Sequence, residues 1–211
     1  MNKTSYSTPN IYLKNHKLHD FQKSLEKEKQ IIESGEHLAV IHQLNSVLED
    51  KYGISIDFNS FEDNYAKDNL SVFRNKAGVD ASFDLVKTET KEVKHKNFTL
   101  DYKFRDKNLF YDDFLAEIVS QDFGPYSNKM PVPGWALCNH KINDAILYIL
   151  PSLKKAALVM RKELKQGFDK NKFSMKNRKY AKNKGWTTIS VPIDWNRLTI
   201  VCPSTIIFNY E

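Results

Sequence analysis

Residues 78–104 read GVDASFDLVKTETKEVKHKNFTLDYKF. Two apolar segments, 81–86 and 98–104, have the alternating pattern of β-strands, and a charged connection, 87–96, joins them. Asp80 precedes the first strand, and Asp101 and Lys103 lie on the second. Residues two apart on a strand point to the same face, so Asp101 and Lys103 project together. The stretch therefore predicts neighbouring strands that carry two carboxylates and a lysine.

These residue types suit a divalent metal site. Mg²⁺ binds one or two carboxylates together with water and phosphate oxygens, and Asp80 and Asp101 can supply the carboxylates. A lysine beside the metal can orient an attacking water or neutralise charge that builds on a phosphate. Asp84 lies four residues after Asp80, on the same face of the strand, so the spacing alone leaves the choice between these two ligands open.

A further acid follows the two strands. We expect a helix over 111–123, because Phe114 and Ile118 are four residues apart and would share one apolar stripe. Glu117 lies at the border of that stripe. It is therefore a candidate to face the metal and to orient the water or Lys103, and the alternative is a solvent-facing glutamate.

Several short motifs along the chain, taken in order, resemble the PD-(D/E)XK nuclease superfamily, which has the restriction-endonuclease-like fold, and in particular its small phage or mobile-element members. The motifs are Gly78-Val79-Asp80, Asp101-Tyr102-Lys103-Phe104-Arg105, Glu117, Pro133-Gly134-Trp135 and Asp144-Ala145-Ile146-Leu147-Tyr148. The likeness covers roughly residues 77–198. Val79 stands where the proline of the superfamily's name would be, as in many members.

The resemblance implies a metal-dependent endonuclease that hydrolyses DNA to 5′-phosphate and 3′-hydroxyl ends. Asp80, favoured over Asp84 by the Gly-hydrophobic-Asp pattern, would bind Mg²⁺ with Asp101 and the carbonyl of Tyr102, and Mn²⁺ would substitute. Lys103 would position the water, with help from Glu117. The resemblance also makes Glu36, on the first core helix, a candidate near the metal, beside the alternative of an acid favoured by the helix dipole.

Composition is that of a soluble globular protein. Of the 211 residues, 41% are hydrophobic and 27% are charged, which suits one domain with a modest extension. There is no apolar run of about 18 residues and no hydrophobic signal core, so we predict no membrane partner and a cytoplasmic location in a bacterial host cell. Cys138 and Cys202 lie far apart, which argues against a disulfide framework or a zinc site.

The net charge of +6 is unevenly distributed. Residues 161–184 contain ten basic and two acidic residues, a balance of +8, so the remainder carries 6 − 8 = −2. A basic field of this kind predicts a polyanion partner, most simply DNA, with RNA not excluded. The alternative is an ordinary lysine-rich surface loop. The candidate nucleic-acid-binding residues are Arg105, Trp135, Lys170, Lys172, Lys176, Arg178, Lys179, Lys182 and Lys184.

Aromatic residues offer a second mode of nucleic-acid contact. Phe168, Phe173, Tyr180 and Trp186 alternate with the basic residues of this segment and could stack on bases or wedge into a groove. Trp135 follows a proline-rich loop and could do the same. Its alternative is to anchor that loop to the core.

The pattern along the whole chain predicts an α/β fold with a mixed central sheet flanked by helices and a restriction-endonuclease-like core. Residues 1–33 would form an arm and a charged helix, and 34–211 a single nuclease-like domain with a basic segment at 161–186. Ser34 and Gly53 would bound the first core helix. We also expect a helix over 153–167 and strands over 54–58, 145–150, 187–192, 198–201 and 206–208.

Two other functions remain compatible with this sequence. One is a catalytically inactive nucleic-acid-binding protein of the same fold, and the other is a protein that binds and inhibits a component of a host system. A monomer that nicks and a homodimer that cuts both strands are both compatible with the motifs.

Overall fold

The computed structural model describes residues 30–63, 78–105, 110–139 and 141–211. The strands are β1 (Ile54–Asp63), β2 (Ala81–Lys87), β3 (Val93–Phe104), β4 (Phe114–Asp122), β5 (Val132–Pro133), β6 (Ala145–Leu150), β7 (Lys155–Met160), β8 (Lys179–Lys182), β9 (Thr187–Ile193) and β10 (Ile206–Asn209). The helices are α1 (Glu36–Tyr52), α2 (Arg161–Asp169) and α3 (Trp195–Val201), and Pro151–Leu153 forms one 3₁₀ turn. The predicted arm and most of the predicted charged helix, residues 1–29, lie outside the described residues, and residues 30–33 of that helix are helical.

The central sheet, sheet A, has six strands in the order β1-β2-β3-β6-β7-β10. β3 and β6 are parallel, and the other neighbours are antiparallel. The predicted α/β class and mixed central sheet are therefore confirmed. A second sheet, sheet B, is antiparallel in the order β5-β4-β9-β8 and was not predicted.

Side chains on the two faces of sheet A bury against different partners. Leu147 and Ile149 of β6 pack with α1, whereas Ile146 and Tyr148 pack with sheet B, α2 and α3. On β3, Leu100 and Tyr102 belong to the α1 side. Successive strand residues alternate between faces, so Asp101 and Lys103 lie on the face toward sheet B. The fold thus directs the predicted charged pair into the space between the two sheets.

The predicted helix over 111–123 is wrong, because this segment forms β4. Phe114, Ala116 and Ile118 are all buried in the core between the sheets. The spacing of four residues between Phe114 and Ile118 fits a helical turn, but it is also two periods of a strand, and Ala116 supplies the missing intermediate position. Tertiary pairing with β9 decides between the two.

Two other expectations need similar corrections. The segment predicted as a helix over 153–167 forms β7 and then α2. Residues 156–159 of β7 are buried on both faces of sheet A. Such a continuous apolar run lacks the polar–apolar alternation that distinguishes a half-buried strand from a helix. The predicted strand over 198–201 is part of α3, whose N-cap Asp194 accepts a hydrogen bond from the Arg197 amide.

Of the two predicted boundaries of the first core helix, the C-terminal one is confirmed and the N-terminal one is displaced by one residue. Gly53 ends α1 in the left-handed conformation, with φ of 62°. Gly35 rather than Ser34 occupies the N-cap, and the Ser34 hydroxyl donates to the Ile31 carbonyl of the preceding turn. In the part of the chain that the structure describes, no helix has the length and apolar character needed to cross a membrane.

Candidate active site

Asp80 is fixed to β3 by hydrogen bonds at both its backbone and its side chain. Its amide donates to the Leu100 carbonyl, and its Oδ2 accepts from the Tyr102 amide, each at 2.7 Å. Gly78 adopts φ of +79°, and an added Cβ there would come within 2.5 Å of Lys141 Cδ, so glycine suits this turn. The Gly-Val-Asp segment therefore holds the Asp80 carboxylate against the backbone of β3 at Tyr102.

Lys103 and Asp101 form an ion pair on the same face of β3. Lys103 Nζ donates to Asp101 Oδ1 at 2.6 Å and to the Tyr102 carbonyl at 2.9 Å. Asp101 is buried, with 2% of its side chain exposed, whereas 24% of the Lys103 side chain is exposed. The predicted projection of the two residues to one face is thus observed, and the ammonium bridges a carboxylate and the backbone.

Burial dominates the electrostatics of the Asp80 carboxyl. Desolvation raises its pKa to about 8, although the Lys103 ammonium lowers that pKa and the neighbouring Asp101 carboxylate raises it further. A hydrogen bond from the Tyr102 amide also favours the charged form. The Asp80 and Asp101 carboxyls thus lie side by side, next to the single ammonium of Lys103.

Glu117, the third candidate acid, lies half-buried on β4 of sheet B. Burial raises the pKa of its carboxyl, the Trp135 amide and the Lys103 ammonium lower it, and the Asp101 carboxylate contributes a smaller increase. Lys103 Nζ lies 5.9 Å from the centre of the Trp135 ring, and the Trp135 amide donates a hydrogen bond to the Glu117 carboxyl, so Trp135 links Glu117 to the Lys103 side of the space between the sheets. The sequence singled out Glu117 as a candidate but assigned it to a helix, whereas it lies on β4.

The loop after β5 holds Glu117 through its backbone. The Ala136 amide donates to the Glu117 carbonyl at 3.0 Å, and the Gly134 amide donates to the Ile118 carbonyl at 3.0 Å. A Cβ on Gly134 would lie 2.3 Å from the Glu117 carbonyl oxygen, so only glycine allows this close approach. The Pro-Gly-Trp motif thus lets the loop backbone pack tightly against β4, and this contact orients Glu117.

The oxygen donors here fit a hard divalent cation. With both carboxyls ionised, the buried Oδ2 of Asp101 has no hydrogen-bond donor among the described residues. Over those same residues, no group of three or more His, Cys, Asp or Glu side chains is arranged to hold a metal ion. A cation would therefore rely on Asp80, Asp101 and the Tyr102 carbonyl, which also accepts from Lys103, with water or phosphate oxygens completing its shell.

The two alternative acids have other partners. Asp84 Oδ1 accepts from the Asn97 amide at 2.6 Å and stabilises the β2–β3 hairpin, where Asn97 has φ of 54°. Glu36 Oε1 accepts from Lys154 Nζ at 2.9 Å and from the Tyr210 hydroxyl at 3.0 Å. Lys154 follows the far end of β6, so these bonds place Glu36 away from Asp101, which pairs with Ile146 near the start of β6.

Arg161 is a site residue that the sequence did not single out. Its side chain is buried and donates to the Trp135 carbonyl at 2.7 Å and to the Cys138 carbonyl. Desolvation lowers its pKa, while the nearby Asp101 carboxylate raises it. Arg161 therefore fastens the loop that holds Glu117, and its position among ten basic residues of the sequence gave no signal of this role.

Two of the expected nucleic-acid contacts are packed into the protein. Arg105 is 8% exposed and donates to Asp113 Oδ1 at 2.6 Å. The Trp135 ring packs edge-on against Phe114 at 5.9 Å, and Lys103 Nζ lies 5.9 Å from the centre of the Trp135 ring. This arrangement matches the alternative of Trp135 as a loop anchor.

The basic segment divides in a similar way. Phe168 and Phe173 pack against each other in the core at 4.7 Å, so they are not available to stack on bases. Arg178 is half-buried. The candidate lysines on the exposed surface are Lys170, Lys172, Lys176, Lys179, Lys182 and Lys184.

Comparison of the chain with models of protein families, with curated proteins and with solved structures finds no match.

Proposed function

We propose that this chain is a metal-dependent endonuclease of the PD-(D/E)XK type that hydrolyses DNA. One observation carries the proposal: the Asp80 carboxylate accepts from the Tyr102 amide of β3, directly beside the ion pair between Asp101 and Lys103 of the same strand. Buried carboxylates are costly to a fold unless they are paired or bind a metal. A cluster with two adjacent carboxyls and a lysine is therefore better explained by chemistry than by stability.

The neighbouring topology supports the same proposal. Helix α1 is followed by the antiparallel strands β1, β2 and β3, and β3 lies parallel to β6. This order supports the proposal of a restriction-endonuclease-like core, although the β4–β5 hairpin stands where a crossover helix was expected. A phage or mobile-element setting is part of the proposal and rests on the sequence resemblance.

Each residue has a role that follows from its contacts. Bound Mg²⁺ or Mn²⁺ would act as a Lewis acid toward the scissile phosphate. Asp80 and Asp101 would hold the ion, and the Asp80 carboxylate is already oriented by the Tyr102 amide. Lys103 would position the water and stabilise developing charge on the phosphate. Glu117, with its raised pKa, holds a proton to higher pH than an ordinary glutamate and would assist proton transfer.

A plasmid assay tests this function. Supercoiled DNA is incubated with the purified protein in Mg²⁺, in Mn²⁺ and in EDTA, beside Asp101→Asn and the matched control Asp84→Asn. We expect metal-dependent conversion to open-circle or linear DNA that Asp101→Asn abolishes and Asp84→Asn retains. Cleavage that survives Asp101→Asn, or its absence with both metals and several DNA substrates, would contradict the proposal.

A second candidate is a nucleic-acid-binding protein that does not cleave. It is favoured by the Lys103–Asp101 ion pair, which compensates part of the buried charge without a metal. In that case DNA binding would be steeply salt-dependent and equal in EDTA and in Mg²⁺, and the plasmid would stay supercoiled.

A further inference from the structure

Two hairpin tips lie together at one end of sheet B. The loop 123–131 joins β4 to β5, and the turn 183–186 joins β8 to β9. Thr187 pairs with Asp122 on one side and with Lys182 on the other. Residues 123–131 and 182–186 therefore form a single surface, which we call the hairpin end.

Hydrogen bonds tie the two tips to the sheet. The Asn183 amide donates to the Trp186 carbonyl at 2.8 Å, and buried Asn183 Nδ2 donates to Thr188 Oγ1 at 3.1 Å. The Thr188 hydroxyl in turn donates to the Ser120 carbonyl of β4 at 2.9 Å. The β8–β9 turn is thus fixed to the strand that leads into the other tip, so the hairpin end is a built platform.

The side chains on this platform combine an exposed aromatic residue with basic charge. Tyr126 is 99% exposed and Met130 is 82% exposed. Three lysines, Lys129, Lys182 and Lys184, are exposed on the same two tips, and neither range contains an acidic residue. An exposed ring together with lysines on the same two hairpin tips has the chemistry for stacking on a base while phosphates are neutralised.

The platform lies within reach of the candidate active site. Glu117 and Asp122 are on the same strand, five residues apart. A rise of about 3.4 Å per residue puts them roughly 17 Å apart. A strand of nucleic acid held at Glu117 and running along sheet B would therefore reach the hairpin end within a few nucleotides.

We propose that the hairpin end binds unpaired nucleotides that flank the scissile phosphate, with Tyr126 stacked on a base and the lysines on the backbone. This inference rests on the proposed nuclease function for its active site, but it concerns binding. In a paired duplex each base is already stacked on its neighbours, so the exposed ring has no free face to contact except in single strands, frayed ends or loops. The substrate class is therefore DNA with unpaired bases.

Binding can be measured without cleavage. Fluorescence anisotropy in EDTA compares a labelled single-stranded 20-mer with a blunt duplex of the same length for the wild type and for Tyr126→Ala. Stacking contributes about 1–3 kcal/mol per base. We therefore expect Tyr126→Ala to bind the single strand roughly 5- to 150-fold more weakly than the wild type does, and to bind the duplex with unchanged affinity. Tyr52→Ala, at a tyrosine that is 55% exposed at the end of α1, is the matched control.

The lysines give a second readout. The double variant Lys182→Gln/Lys184→Gln should lower the slope of log affinity against log salt for the single strand by about 1.4, at roughly 0.7 per phosphate contact. Lys51→Gln/Lys96→Gln is the control, because these exposed lysines lie at the end of α1 and at the start of β3, outside the hairpin end. We expect the control slope to match that of the wild type.

Several outcomes would overturn the inference. One is a Tyr126→Ala variant that binds the single strand like the wild type, and another is one that loses single-strand and duplex affinity equally. A wild-type protein that binds neither oligonucleotide would also overturn it. The plasmid assay with Asp101→Asn decides the nuclease function separately, since a protein that cleaves can lack this surface and a protein that binds here can lack cleavage.

Discussion

The β2–β3 stretch and the basic segment 161–186 both attract attention through their charged residues, yet the fold treats them differently. In the first, Asp80 and Asp101 are buried and bonded to neighbours within β3. In the second, most lysines are exposed, and Arg161 alone among the basic residues is buried. Residue alternation along β3 predicted that Asp101 and Lys103 project to the same face. The number of basic residues in 161–186 did not predict which of them are buried and which are exposed.

Energetics sharpen this contrast. A buried ionised group is costly unless it is paired or has a ligand, so burial of charge indicates a specific role. Exposed lysines cost little, and each acts mainly through the long-range field that attracts a polyanion. The two regions should therefore respond very differently to the same kind of substitution.

The largest difference is expected between two lysines changed to the same residue. Lys103→Met removes the ammonium that bridges Asp101 Oδ1 and the Tyr102 carbonyl, and we expect plasmid cleavage to fall about 10²- to 10⁴-fold. Lys172→Met, at an exposed lysine of the basic segment, should change the rate less than about threefold. Initial rates of plasmid nicking in Mg²⁺ measure both. An equal loss of nicking rate in the two variants would show that the buried pair on β3 and the exposed basic segment contribute alike to cleavage, against the proposed difference.

Sequence reasoning succeeded where the signal is local. The strand positions of Asp101 and Lys103 follow from residue alternation, and β6 follows from a short apolar run between Asp144 and Pro151. Gly53 marked the end of α1 because a left-handed residue there is best served by glycine. Together these elements gave the mixed central sheet.

It failed where long-range pairing decides the structure. Glu117 of β4 pairs with Ser190 of β9, more than 70 residues later, and no local pattern encodes that partner. Spacing within β4 fits a helix and a strand equally well, so the helix was predicted and sheet B was missed. Arg161 was hidden for the same reason, since its two carbonyl partners come from a loop 23 and 26 residues earlier in the chain.

The next effect separates two basic neighbours in one helix. Arg161→Met leaves the carbonyls of Trp135 and Cys138 without their donor, and we expect the free energy of unfolding to fall by about 2–4 kcal/mol. Urea denaturation followed by circular dichroism measures this change. Lys162→Met, at the exposed next residue, should stay within roughly 0.5 kcal/mol of the wild type. An unchanged free energy of unfolding for Arg161→Met would show that Arg161 contributes no more to stability than an exposed lysine does.

A smaller effect depends on pH. Because burial raises the pKa of Asp80 to about 8, and the unfolded value is about 3.9, the native state binds a proton between these limits that the unfolded chain has lost. Stability of the wild type should therefore fall as pH rises through this window. Asp80→Asn has no such proton, so in EDTA its Tm should exceed that of the wild type at pH 8 by on the order of 5 °C, and the excess should shrink toward pH 5.

Thermal melts across pH 5–8 measure that trend. Asp57→Asn serves as the control, because Asp57 lies on β1 outside the site, where it accepts hydrogen bonds from Asn59. Its Tm difference from the wild type should not grow with pH over this range. A Tm difference for Asp80→Asn that stays constant, or that grows toward pH 5, would contradict the burial of a protonated Asp80 carboxyl.

The smallest expected effect compares two aspartates of the same stretch. Asp84→Asn weakens the bond from the Asn97 amide at 2.6 Å, and we expect it to cost about 1 kcal/mol of stability, the usual net contribution of one hydrogen bond. Cleavage in Mg²⁺ should remain, because Asp84 is bonded within the hairpin, whereas Asp80 lies against Asp101. Measuring unfolding and nicking for both asparagine variants separates the structural aspartate from the candidate ligand. If Asp84→Asn abolished cleavage while Asp80→Asn retained it, the two roles would be exchanged, and the hairpin bond to Asn97 would have to break for the metal to bind.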